Sequence, residues 1–172
     1  MCGNCLKTPP HFDSTHAAFL YHGVLAQLIP AAKFGARWSL FPALARLMLP
    51  TLQQVPRPDL LIPLPLHAQR LKERGFNQAL EIAKPLVRSL SLPLEHTLLQ
   101  RTRDTEHQAR LSEKARHRNM RKAFVARGDL SGQRIALVDD VMTTGASLDA
   151  AARALKQAGA ARVDCWILAR TP

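Results

Sequence analysis

Residues 135–147 combine two adjacent carboxylates with a loop rich in hydroxyl groups. Residues 135–138 are apolar and are followed by Asp139 and Asp140, as in a buried parallel strand that ends at the edge of a sheet. The loop contains Thr, Gly and Ser, and residues 148–158 predict a helix. Such a loop directs backbone N–H groups, hydroxyls and the positive end of a helix dipole at one place, which suits a phosphate. The carboxylates accept hydrogen bonds from the cis hydroxyls of a ribose, so the stretch predicts a site for a 5-phosphorylated ribose.

Other loops of similar composition fit this stretch less well. A Walker A loop requires a lysine after its last glycine, and a dinucleotide-binding loop places its glycines before the helix without carboxylates on the strand. An ordinary turn is disfavoured because paired carboxylates at a buried strand end lose hydration unless a ligand uses them. The stretch resembles the 5-phosphoribosyl 1-pyrophosphate (PRPP) site of type I phosphoribosyltransferases. That resemblance implies binding of PRPP with Mg²⁺ by Asp139, Asp140, Met142, Thr143, Thr144, Gly145, Ala146 and Ser147.

A second polar stretch, residues 63–78, follows a strand predicted at residues 59–62. Because it leaves the carboxyl end of that strand, it is expected at the same sheet edge as the two carboxylates. Its prolines stiffen the loop, and its histidine and arginines are suited to the pyrophosphate of the donor. The candidate residues are Leu66, His67, Arg70 and Arg74. The alternative is a rigid turn followed by an arginine-rich helix start that faces water.

A third stretch, residues 101–122, carries eight Arg or Lys against three acidic residues, a net charge of +5. This concentration predicts a polyanionic partner, which is pyrophosphate, nucleic acid or both. In an enzyme residues 101–116 would be a mobile loop that closes over the leaving group, with Arg101 and Arg103 joining the two carboxylates as catalytic candidates. The alternative is a surface helix and loop with no catalytic part.

The motifs together resemble the ComF/GntX family over almost the whole chain, and most closely its proteobacterial GntX-like members. The resemblance rests on Cys2-x-x-Cys5, Lys33-x-Gly35, Arg74-Gly-Phe-Asn-Gln78, the spacing from Arg101 to Phe124, and Val138-Asp-Asp-Val-Met-Thr-Thr-Gly145. It implies a phosphoribosyltransferase-type domain that is linked in its relatives to competence, meaning the uptake and processing of single-stranded DNA.

The N-terminal Cys2 and Cys5 supply two of the four ligands that a structural zinc ion needs. Members of the family usually carry further C-x-x-C pairs before this one. The resemblance therefore implies that residues 1–13 are the remainder of a zinc module and that residues 14–172 form the phosphoribosyltransferase-like domain. We do not expect Cys2 and Cys5 to hold zinc by themselves.

The composition predicts a cytoplasmic protein. The 172 residues are 47% hydrophobic and suffice to bury a core, and three cysteines exclude a disulfide framework. No apolar stretch is long enough to cross a membrane, and no basic-then-apolar signal segment opens the chain, so membrane insertion is not expected. The formal charge of +11 favours polyanionic partners, and a homodimer is left open.

Strands and helices alternate along the chain in the order that positions these residues. Hydrophobic spacing predicts strands at residues 17–21, 59–62, 98–99, 124–125, 135–138 and 163–168. It also predicts one helix that ends near Gly35 and further helices at residues 41–52, 77–90, 112–121 and 148–158. The pattern predicts an α/β fold with a mostly parallel, doubly wound sheet flanked by helices. The resemblance makes this a type I phosphoribosyltransferase-like fold.

Two functions remain open from the sequence. The first is a glycosyltransferase, specifically a phosphoribosyltransferase, whose acceptor the sequence does not show. The second is a non-catalytic accessory protein that senses PRPP and binds single-stranded DNA. Aromatic residues make up only 5% of the chain, so any DNA binding should depend on phosphate contacts more than on base stacking.

Residues 101–122 generate a prediction about nucleic acid. Single-stranded DNA should bind without sequence preference, and log affinity should fall against log salt with a slope of about −3 to −4 if roughly four to six phosphates are engaged. Replacing Arg116, Arg118 and Arg121 by Ala should flatten that slope and weaken all sequences equally. Gel-shift titrations at two salt concentrations, with and without PRPP, test this. Binding that is absent or insensitive to salt would assign the arginines to pyrophosphate alone.

Overall fold

The computed structural model describes residues 9–35, 37–103 and 123–172. Its main sheet contains β1 (Ser14–Leu20), β2 (Leu60–Pro63), β5 (Arg134–Met142) and β6 (Arg162–Arg170), in the order β1-β6-β5-β2. All three pairings in this sheet are parallel. The short strands β3 (Leu99–Arg101) and β4 (Phe124–Ala126) pair antiparallel in a second sheet. The mostly parallel α/β architecture predicted from the sequence is confirmed.

Six helices connect the described strands. They are α1 (Gly23–Phe34), α2 (Leu40–Arg46), α3 (Leu49–Leu52), α4 (Ala68–Arg74), α5 (Gln78–Leu90) and α6 (Ala146–Gln157). Among the described residues, none of these helices is both long enough and apolar enough to cross a membrane.

Strand β5 is buried on both faces, and its alternating side chains enter two different hydrophobic cores. Ile135 and Leu137 pack in a core with the alanines and leucines of α6. Ala136 and Val138 face the opposite way, into a core formed with α1, α2 and α5. Helices therefore cover both faces of the central strands, which is why β5 is almost wholly apolar before its carboxylates.

Strand β5 continues past the predicted end at residue 138, so Asp139 and Asp140 lie inside the strand rather than after it. Asp139 pairs with Ile167 of β6, and the pairing continues as far as Met142 opposite Arg170. The backbone of β6 pairs with the polar residues of β5 as well as with its apolar ones. The sequence pattern, which follows side chains, therefore placed the strand end too early.

Two further predictions at the helices were wrong. The single helix predicted at residues 41–52 is divided into α2 and α3, where Leu47 N–H bonds the Leu44 carbonyl three residues back and Pro50 lies in the first turn of α3. Proline has no N–H to continue a helical ladder. Helix α4 was predicted only as a loop leading into a helix start; it begins after the cap residue His67 and ends at Gly75, which has φ of 79°.

The remaining elements confirm the predicted order and shift their ends by a few residues. Helix α1 ends at Gly35, and Asn77 caps α5 without belonging to it. Helix α6 begins two residues earlier than predicted, and β4 and β6 extend beyond the predicted strands. Strand β1 begins and ends earlier than predicted, at Ser14 and Leu20, whereas β3 begins and ends later, at Leu99 and Arg101. The helix predicted at residues 112–121 lies outside the described residues.

Candidate functional site

A cavity of about 200 Å³ opens at the carboxyl ends of β2 and β5. This edge of a parallel sheet is where ligands of open α/β folds bind. Residues 139–148 form one side of the cavity, and residues 64–66 form another. Basic side chains from three other parts of the chain complete the lining: Lys33, Arg70, Arg74 and Arg101.

The structure brings together most of the site residues predicted from the sequence. Those in the cavity lining are Asp139, Asp140, Met142, Thr143, Thr144, Gly145, Ala146, Ser147, Leu66, Arg70, Arg74 and Arg101. His67 is not part of the lining; its Nδ1 accepts a hydrogen bond from the Gln69 N–H at 3.4 Å and caps α4. Arg103 is exposed and also lies outside the lining. Cys2 and Cys5 lie outside the described residues.

The loop between β5 and α6 has the geometry of an anion site. Gly145 has φ of 78°, a left-handed backbone conformation that residues with a side chain rarely adopt, so the loop favours glycine at this position. Helix α6 begins directly after it, and the N–H groups of Ser147 and Leu148 have no carbonyl one turn earlier in the helix. Those N–H groups and the helix dipole favour a negatively charged ligand.

Asp139 is buried and points to the face of the sheet covered by α6, because it shares the alternation of Ile135 and Leu137. Its Oδ1 accepts the backbone N–H of Asp140 at 2.9 Å. Burial raises the pKa of the Asp139 carboxyl well above its ordinary value, and the neighbouring charge of Asp140 raises it further. A carboxyl with a raised pKa is protonated over a wider range of pH, and when protonated it can donate as well as accept a hydrogen bond.

Asp140 points to the opposite face, where side chains from α1 and α5 meet it. Lys33 places its Nζ 2.6 Å from Oδ2 of Asp140. The Gln78 amide lies at the limit of hydrogen-bonding distance, with Nε2 donating to Oδ1 over 3.5 Å. Asp140 is therefore a buried carboxylate with a buried counter-charge.

Sequence analysis placed Lys33 and Gln78 within motifs and gave neither a role in the site. Lys33 is more than a hundred residues from Asp140 along the chain, so no local pattern joins them. The signal available was the Lys33-x-Gly35 pair, in which a helix ends directly after a lysine. The Arg74-Gly-Phe-Asn-Gln78 block gave a corresponding signal for Gln78.

The arginines of the cavity are held by specific contacts. Arg74 donates from Nη1 to Oε1 of Gln78 at 2.6 Å, and its guanidinium lies 5.3 Å from the centre of the Phe34 ring. Arg70 lies 3.6 Å from Glu73, and the Arg101 guanidinium stacks over Phe124 at 5.6 Å. The described lining thus offers four cations against two carboxylates, one of which has a raised pKa. This excess positive charge suits a ligand with several phosphates.

Comparison with known proteins identifies the family. Residues 77–172 match the phosphoribosyl transferase domain family. Competence protein F of Haemophilus influenzae is 35% identical over 98% of this chain and 78% of its own length. The DNA utilization protein YhgH of Escherichia coli K12 is 36% identical over 99% of this chain and 78% of its own length. The chain belongs to the ComF/GntX family and contains its phosphoribosyl transferase domain.

A solved structure supports the same fold. The glutamine PRPP amidotransferase of Bacillus subtilis superposes with a TM-score of 0.51 at 22% identity, covering 74% of this chain and 26% of that enzyme. The type I phosphoribosyltransferase fold predicted from the sequence is therefore confirmed for this ComF/GntX member.

The buried Asp139 generates a prediction about stability. A carboxyl with a raised pKa binds its proton more tightly in the folded chain than in the unfolded chain, so folding stability falls as pH rises above the ordinary carboxyl pKa. Asp139→Asn keeps an oxygen that can accept the Asp140 N–H and removes the charge. It should raise the free energy of unfolding at pH 7 by roughly 0.5–2 kcal/mol.

Urea unfolding at several pH values tests this expectation. The stability difference between Asp139→Asn and the unmodified chain should shrink as pH falls through the ordinary carboxyl pKa of 3.8, below which Asp139 is protonated in both the folded and the unfolded state. The exposed Asp129→Asn is the control and should lack the stability gain at pH 7, because hydrogen bonds from Ser131 lower the pKa of the Asp129 carboxyl and its charged form therefore stabilises the fold. A stability gain that is the same at all pH values would contradict the titration of Asp139.

Proposed function

We propose that this ComF/GntX member binds PRPP with Mg²⁺ and transfers its phosphoribosyl group to an acceptor. The observation that carries the proposal is the meeting, in one cavity, of the two β5 carboxylates, the glycine loop before α6 and four basic side chains. A phosphorylated ribose with a pyrophosphate requires these three kinds of partner at once.

Each part of PRPP has a complementary part of the cavity. The 5-phosphate suits the loop of residues 143–147, whose N–H groups and hydroxyls converge there. Asp139 and Asp140 suit the two ribose hydroxyls. Arg70 and Arg74 suit the pyrophosphate, since both line the opposite side of the cavity near Leu66.

The proposed reaction breaks the bond between the anomeric carbon of ribose and a pyrophosphate oxygen. The bonding electron pair leaves with pyrophosphate, and a lone pair of the acceptor forms the new bond to the anomeric carbon. Positive charge develops on the ribose and negative charge on the leaving group. The carboxylates stabilise the positive charge on the ribose, and the arginines, including Arg101, stabilise the negative charge on the leaving group.

Magnesium would enter mainly through the oxygens of the donor. The residues that the structure describes contain no group of three or more His, Cys, Asp or Glu side chains placed to hold a metal ion. Mg²⁺ commonly binds to substrate phosphates, water and one or two carboxylates, and Asp139 and Asp140 are the carboxylates available in the cavity. When bound, the ion would neutralise charge on the leaving pyrophosphate.

The second candidate is a protein that binds PRPP without catalysis and handles single-stranded DNA. The names of the relatives, competence protein F and DNA utilization protein, favour a role connected with DNA. The same site would then report the supply of a nucleotide precursor, and the charge of residues 101–122 would serve the DNA. Both candidates require PRPP binding and differ in turnover.

Calorimetric titration tests the shared requirement. PRPP with Mg²⁺ should bind, and Asp140→Asn should weaken that binding by about 1–3 kcal/mol because it removes a charged acceptor from the ribose hydroxyls. Asp129→Asn is the matched control, since Asp129 is exposed and lies outside the cavity lining. Equal affinity of Asp140→Asn and the unmodified chain would remove the ribose role of Asp140.

Pyrophosphate release separates the enzyme from the sensor. With PRPP, Mg²⁺ and a panel of purine and pyrimidine bases, the enzyme should release pyrophosphate in the presence of one acceptor class. Arg101→Ala should lower the turnover number by about tenfold or more, because the leaving group loses a stabilising charge. PRPP binding without turnover across the panel would favour the sensor.

A further inference from the structure

Helix α1 reaches the candidate donor site from the N-terminal part of the chain. Lys33 lies in its last turn, and the four-carbon side chain extends to Asp140 on β5. The side chain of Lys33 is 20% exposed and that of Asp140 is 3% exposed. The ammonium group therefore covers the carboxylate on the side of the cavity that both residues line.

This contact occupies the oxygen that a ribose hydroxyl would need. Oδ2 of Asp140 lies 2.6 Å from Lys33, while Oδ1 has only the long contact with Gln78 at 3.5 Å. Oδ2 is buried and accepts no hydrogen bond within the described part of the chain despite this ion-pair contact, so a hydroxyl that binds Oδ2 shares it with the Lys33 ammonium or displaces that ammonium. Because the buried Asp140 carboxylate loses its counter-charge in the exchange, the exchange is favourable only if Lys33 gains another anion.

A second contact holds the same helix end at the cavity. The ring of Phe34 lies against the guanidinium of Arg74, and Arg74 bonds Gln78, whose amide faces Asp140. The end of α1 thus contacts the site through two neighbouring residues. Lys33 lies against the Asp140 carboxylate, and Phe34 lies against Arg74, a cation suited to pyrophosphate. Lys33 needs only side-chain rotation to pass between these two parts, since its stem is flexible.

We propose that Lys33 is a donor-binding residue that changes partner, from Asp140 to the pyrophosphate of PRPP, when ribose hydroxyls engage Asp140. The inference rests on the proposed function and adds a basis for selecting the donor. PRPP brings the anion that receives the displaced ammonium. Ribose 5-phosphate brings the same ribose and 5-phosphate without that anion, so its binding breaks the ion pair with no replacement. Lys33 thereby favours the intact donor over ribose 5-phosphate.

Replacing Lys33 by Gln tests the exchange because its effect on the two ligands should have opposite signs. By calorimetry at constant pH and salt, affinity for PRPP with Mg²⁺ should fall by about tenfold or more, since a charge-assisted contact is lost. Affinity for ribose 5-phosphate should rise by about threefold, since a weaker amide contact is displaced instead of an ion pair. Lys33→Arg, which keeps the charge, should retain the preference for PRPP.

The matched control is Lys84→Gln, which removes an ion pair of the same 2.6 Å length, with Glu81 on α5, outside the cavity lining. It should leave both affinities unchanged.

If Lys33→Gln changes the affinities for both ligands in the same direction, or changes neither, Lys33 only maintains Asp140. The exchange is then wrong, while the proposed function stands. If the unmodified chain binds neither ligand, the proposed function fails and the exchange falls with it. Thermal unfolding of each variant establishes that it is folded. If Lys33→Gln does not fold, Lys33→Arg remains as the test, since it should retain the preference for PRPP over ribose 5-phosphate.

Discussion

Two adjacent carboxylates inside the central strand of the sheet impose the constraint on which the rest of the site depends. Side chains alternate along a strand, so Asp139 and Asp140 enter opposite faces of β5, each of them already filled by hydrophobic packing. Burial of a charge without compensation is costly. This cost is reduced differently at the two residues. Burial raises the pKa of the Asp139 carboxyl and so favours its uncharged form, whereas the Asp140 carboxylate lies beside the Lys33 ammonium.

The elements around β5 can be understood as the supports of this pair. Parallel pairing with β6 extends beyond the apolar run as far as Met142 and holds the carboxylates at the sheet edge, whereas β2 pairs with β5 only as far as Val138. The tight loop at Gly145 starts α6 directly beside them, so a loop suited to an anion adjoins the two carboxylates. Helices α4 and α5 bring Arg70, Arg74 and Gln78 to the same cavity.

The N-terminal part of the chain contributes more than a cover for the sheet. Strand β1 adds to the edge of β6, and α1 then crosses to the cavity, where Lys33 and Phe34 contact residues from the C-terminal and middle parts of the chain. The matched phosphoribosyl transferase domain covers only residues 77–172. The similarity to competence protein F covers 98% of this chain and so includes α1 as well.

The sequence by itself determined the chemistry of the site, because that chemistry is local. An acidic pair, a hydroxyl-rich loop and a following helix lie within a few residues of one another, and the alternation of strands and helices placed them at a sheet edge. Most of the predicted cavity residues followed from this order.

The sequence pattern was weaker at element ends, as in β5 and the division between α2 and α3, where backbone pairing and a proline outweigh side-chain periodicity. Only the tertiary structure decided that Lys33 neutralises Asp140, that Gln78 joins Arg74 to the same carboxylate, and that His67 caps a helix outside the cavity lining. Those outcomes depend on distances between residues remote in the chain, and the burial that raises the pKa of the Asp139 carboxyl likewise follows from tertiary packing.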